Sequence, residues 1–161
     1  MRLAVFLIFF VSTYSIAQIK NDSIDFYCKN FESSFNEMKY DSALVAAEKI
    51  YTFAKQKNES STQNKAKIYK AKVYYKLKMF DQSISLIEEI IKKNYTTKEE
   101  ITNFLEANNI LANIHYSKYE DDKAIAKYFY IDSISEANKF INDVQIRALQ
   151  NIGLMMLRGY N

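Results

Sequence analysis

The chain has 161 residues, of which 48% are hydrophobic, with a net charge of +3. That is enough apolar material for one folded domain and excludes a disordered tail, while the small positive balance does not by itself imply nucleic acid. Proline is absent and there are only two glycines, which argues against an all-β domain with its many tight turns and for helices joined by polar loops.

Residues 1–17, MRLAVFLIFFVSTYSIA, differ in character from the rest of the chain. One cation at Arg2, an apolar run from Leu3 to Val11 and small residues at Ser15 and Ala17 read as a signal peptide cleaved before Gln18. The competing reading is a retained anchor, but a spanning helix needs about 20 apolar residues and this run is shorter. Export to the periplasm or outside the cell is the expected localisation, with no stable membrane span in the mature chain. A lone cysteine, Cys28, has no internal disulfide partner and reads as a half-buried helix residue, or as the site of an intermolecular disulfide.

Beyond residue 21, apolar spacing predicts helices over 22–38, 41–57, 62–78, 81–93, 97–118, 122–138 and 143–158, with a polar loop from Asn58 to Thr62. Thr97 and Glu100 have the spacing of a capping box. One phrase recurs: YDSALVAAEKI from Tyr40, FDQSISLIEEI from Phe80 and DDKAIAKYFYI from Asp121. Its anchors are the small residues Ala43, Ser83 and Ala124, with apolar residues one, four and seven positions on, which is one face of a helix. Twelve residues before each anchor stand Phe31, Ala71 and Ala112, and 41 residues after Ala112 comes Gly153. The unit is therefore helix, short turn, helix, over about 24–60, 61–96 and 97–140, with a half unit over 143–161. So short a helix pair cannot bury its apolar face alone, but stacked pairs can.

This pattern resembles the tetratricopeptide repeat, in the variety whose units run about 40 to 42 residues. The residues that carry the resemblance are the small pairs Ala71/Ser83 and Ala112/Ala124, Gly153, the aromatics Tyr40, Tyr74 and Phe80, and the phrases YDSAL and FDQSI. It departs from the family in having Asn30 and Lys70 where a leucine is usual, and in lacking the terminal proline. The resemblance implies an all-α, right-handed superhelical solenoid. Its first-helix positions would line a concave groove for an extended peptide: Lys65, Lys72, Tyr75, Lys76, Asn109, Asn113, Tyr116, Arg147, Gln150 and Arg158. Lysine and arginine suit acidic side chains or a carboxylate, asparagine suits a peptide backbone, and tyrosine suits apolar side chains. The expected function is a non-catalytic interaction module or scaffold, without cofactor or metal. The resemblance also carries a second reading, the sensory portion of a membrane-bound regulator or histidine kinase.

Reactive groups are few. His115 reads as a packed ring with one satisfied nitrogen. The acid pairs Glu88-Glu89, Glu99-Glu100 and Asp121-Asp122 are adjacent on their helices and diverge by about 100°, unlike a cooperating acid and base. Lys67, Lys70 and Lys78 lie on the other side of the third helix, but no further helix extends a basic track, so nucleic acid is not an expected partner. The last helix, with Ile152, Leu154, Met155, Met156 and Leu157, is apolar almost all round. Such a helix needs neighbours on more than one side, either because the chain is a fragment or because this end meets another chain, and self-association is expected there.

Overall fold

A computed structural model describes residues 24–139 and 141–159, and every described element is helical. The signal-peptide reading, its cleavage before Gln18 and the start assigned to the first helix lie outside those residues. The helices are α1 over 24–36, α2 Tyr40–Gln56, α3 Ser60–Lys76, α4 Phe80–Ile91, α5 Lys98–Ser117, α6 Asp121–Ala137 and α7 Asp143–Gly159. The loop expected from Asn58 to Thr62 is shorter than its polarity suggested: α3 already begins at Ser60. No described helix is long and apolar enough to cross a membrane.

The chain divides into two compact units, the first ending at Ala66 and the second beginning at Lys67. In the first, Ala43, Ala47, Ile50 and Ala54 are wholly buried along one stripe of α2, and Phe31 of α1 is buried with them. Rings pack between the two helices: Tyr27 stacks on Phe53 at 5.8 Å, and Phe35 meets Tyr40 edge-on at 6.0 Å.

In the second unit, consecutive helices pack on one another from α4 to α7, and α5 also touches α7, as in an α-solenoid. One core gathers Ile68 and Ala71 of α3, Ile87 and Ile90 of α4, and Ala107, Ile110 and Ile114 of α5. The next gathers Ile101, Leu105 and Ala112 of α5, Ala124, Tyr128 and Ile131 of α6, and Val144, Ala148, Ile152 and Met155 of α7. Helix α5 thus serves both cores from different faces. The small positions behave as their register requires. Ala71, Ser83, Ala112 and Ala124 are all at 0% exposure, and the Ser83 hydroxyl donates to the Ala71 carbonyl at 2.8 Å, a contact that a larger side chain would prevent.

The short turns share one geometry. Met38, Asn58, Lys78, Tyr119 and Lys139 all have φ between 49° and 60°, the left-handed region. Around Lys78 the paired bonds of a Schellman motif close the helix: Lys78 N–H donates to the Tyr75 carbonyl at 3.0 Å and Met79 N–H to that of Tyr74 at 2.8 Å. The same pair recurs at Met38 and Lys39, at Asn58 and Glu59, and at Tyr119 and Glu120. A side chain in this region is strained by about 1–2 kcal/mol, and glycine removes the strain. Lys78→Gly is therefore expected to raise stability by about 0.5–1 kcal/mol, less than the strain because glycine also gains freedom in the unfolded chain; urea titration of both proteins measures it.

The connection from α4 to α5 is built differently. It runs from residue 92 to Thr97 and ends in the capping box expected from sequence, with the Thr97 hydroxyl accepting from Glu100 N–H at 3.2 Å. In return the Glu100 carboxylate accepts from Thr96 N–H at 2.9 Å and Thr97 N–H at 3.1 Å, and these donors hold its carboxyl below the ordinary value.

Candidate functional site

One face of the second unit is formed by successive first helices of the repeat, α3, α5 and α7. Their polar side chains meet across the helix boundaries. Glu106 of α5 lies between two cations. The Arg147 guanidinium of α7 donates to its Oε1 at 2.6 Å, and Lys72 Nζ of α3 stands 3.2 Å from its Oε2, an ion pair without hydrogen-bond alignment. Toward the helix C-termini, the hydroxyls of Tyr75 and Ser117 lie 3.3 Å apart, and the Arg158 guanidinium donates to the Tyr116 hydroxyl. Between them, Asn113 Oδ1 accepts from the Tyr128 hydroxyl of α6 at 2.6 Å and from Asn151 at 3.3 Å.

The residues expected in a groove are therefore not equivalent. Lys72, Arg147 and Arg158 are tied to neighbouring helices. Asn113 is half-buried and spends its carbonyl on Tyr128 and Asn151. Asn109, expected to meet a ligand from an open surface, is buried, and its Oδ1 has no partner among the described residues. Lys76 and Gln150 are exposed, and Tyr75 and Tyr116 are half-buried. Lys65 stands in the first unit. Sequence reasoning left Glu106, Asn151 and Tyr128 out of the site. The signal for Glu106 was present, because it stands 41 residues before Arg147, which makes the two neighbours in a stack of such units.

Four cations, Lys72, Lys76, Arg147 and Arg158, stand on this face, and Glu106 answers two of them. On the other side of α3, Lys67 pairs with Glu89 of α4 and holds that carboxyl low. His115 has one ring nitrogen 2.5 Å from Glu120. That ring and then Lys123 hold the Glu120 carboxyl below its ordinary value, which makes this a surface clasp at the turn into α6.

At the C-terminal end of the face is a cavity of about 700 Å³. Tyr75 and Tyr116 form its walls, Ile125 and Met155 its apolar side, and Asp121 and Arg158 its charged rim. Its volume falls within the range of small-ligand sites, about 300–1,000 Å³. On α7, Val144, Ala148, Ile152 and Met155 are buried, while Ile146, Leu149, Leu154, Met156 and Leu157 are exposed. The segment Ile152–Leu157, expected as a self-association surface, is thus divided: Ile152 and Met155 belong to the core, and only its other apolar side chains are presented to solvent.

The fold and the site define an all-α, repeat-like helical protein with a cationic, amide-bearing face. No family model, curated protein or solved structure matches the chain.

Proposed function

We propose that the protein is a non-catalytic module of tetratricopeptide type that binds an extended, acidic peptide or protein segment along the α3–α5–α7 face. The observation that carries this reading is the surplus of positive charge there, four cations against the carboxylates of Glu106 and Asp121, with Lys72, Arg147 and Arg158 already held in place by neighbouring helices. Fixed donors lose little freedom on binding, so more of the interaction appears as affinity. Arginine and lysine suit carboxylates, and asparagine and glutamine can pair with a peptide backbone in both directions.

The test selects extended peptides from a random display library on the full chain and on the Lys76→Glu, Gln150→Glu variant. Both changed residues are exposed, and neither takes part in the contacts that tie one helix to the next, so the thermal midpoint is expected to stay within about 2 °C, as for neutral surface changes. The wild type is expected to enrich acidic peptides and the variant to bind them at least tenfold more weakly, the direction that charge reversal imposes. Equal enrichment of acidic and basic peptides by the wild type would remove this reading.

A further inference from the structure

The cavity at the end of the face occupies a place that an aromatic ring fills in the preceding units. In the first unit, Tyr40 at the start of α2 packs on Phe35 of α1 at 6.0 Å between ring centroids. One unit on, Phe80 at the start of α4 packs on Tyr75 of α3 at 6.1 Å, with Lys118 Nζ 5.6 Å from the Phe80 ring centre. In the third unit the register places Tyr116 where Phe35 and Tyr75 stand, and Asp121 where Tyr40 and Phe80 stand. Tyr116 keeps the wall, but a short, exposed carboxylate replaces the ring that would pack against it. The apolar neighbours are still present. Ile125, the counterpart of Ile84, and Met155, the counterpart of Ile114, line the space.

We propose that this cavity is the receptor for an aromatic side chain of the bound peptide, tyrosine or tryptophan. The inference deepens the peptide-binding reading and rests on it. An incoming ring would pack on Tyr116 as Phe80 packs on Tyr75, within the centroid range of about 4.5–7 Å that aromatic pairs adopt. Asp121 at the rim accepts a hydrogen bond from a phenol or indole, which phenylalanine cannot offer. Arg158, already fixed to Tyr116, meets a flanking carboxylate of the same peptide. The resulting ligand is an acidic segment that carries one tyrosine or tryptophan.

The experiment titrates N-acetyl-tyrosinamide, N-acetyl-tryptophanamide and N-acetyl-leucinamide into the full chain, following the methyl signals of Ile125 and Met155 by NMR. The two aromatic amides are expected to shift both signals in a saturable way and to bind at least about fivefold more tightly than the leucine amide, as a ring-sized site requires. Asp121→Phe restores the ring of the earlier units, so it is expected to abolish these shifts without lowering the thermal midpoint. Asp121→Asn keeps the cavity and should retain the response if the phenylalanine variant folds poorly. No saturable shift in the wild type, or equal binding of the leucine amide, overturns the inference. If the wild type still enriches acidic peptides in that case, the cavity assignment fails and the binding face stands. If the aromatic amides bind but acidic peptides are not enriched, the face fails and the cavity stands.

Discussion

Tyr128→Ala is expected to cost about 3–5 kcal/mol, the largest loss from any single truncation in the second unit. Among the described residues Tyr128 is the largest fully buried side chain, at 1% exposure, and it packs among residues of α5, α6 and α7. Removing its ring opens a cavity where three helices meet, and close-packed helices collapse into such a space only partly. Tyr128→Phe separates the ring from the hydroxyl. It keeps the packing and loses the hydrogen bond to Asn113, for about 1 kcal/mol. The hydroxyl also gives the protein an alkaline signature. Burial first, and then the neighbouring Tyr75, push the Tyr128 phenol from 10.0 up to about 12. The folded state therefore favours the neutral phenol, and the unfolded chain ionises first as the pH rises. This contribution is complete below pH 10 and is lost between about pH 10 and pH 12. Denaturant titrations across that window should show a downward slope in stability that is smaller in Tyr128→Phe. The same slope in both proteins would mean that other groups control the alkaline limit.

Ala112→Leu is expected to destabilise by about 1–3 kcal/mol, and Gly153→Leu is not. The two positions are equivalent in the repeat, 41 residues apart. Ala112 is wholly buried in a core that also contains Ala124, and added carbons there must push α5 and α6 apart. At Gly153 a Cβ would meet nothing within 4 Å, so a leucine has room. Helix propensity then favours the leucine by about 0.8 kcal/mol. The register of Gly153 was legible from sequence, but its packing was not, because among the described residues no helix lies over it as α6 lies over Ala112. Thermal unfolding of the two variants measures the difference, and equal losses would contradict the open packing at Gly153.

Much of the fold could be read from spacing. The recurring small residues placed Ala71 against Ser83 and Ala112 near Ala124, and Thr97 with Glu100 marked the start of α5. The turns were less legible. Left-handed caps are usually announced by glycine, and here Met38, Asn58, Lys78, Tyr119 and Lys139 hold the same backbone without one. Polarity consequently suggested a loop to Thr62 where the helix resumes at Ser60. The candidate face was legible as a row of positions but not as a network. Lys72 read as an outward cation, whereas its charge is turned on Glu106, and Asn109 read as a surface amide although it is buried. Single-helix patterns carry no information about which side chains the next helix will answer. The cavity beside Tyr116 needed both kinds of reading, since Asp121 becomes unusual only when Tyr40 and Phe80 are seen filling its place.

The most direct test of the central claim is amide hydrogen exchange on the full chain, with and without a saturating acidic peptide selected from the display library. New protection is expected on α3 from Lys72 to Lys76, on α5 from Glu106 to Ser117 and on α7 from Arg147 to Arg158. Protection confined to α4 and α6, with those three segments unchanged, would contradict the assignment of the binding face.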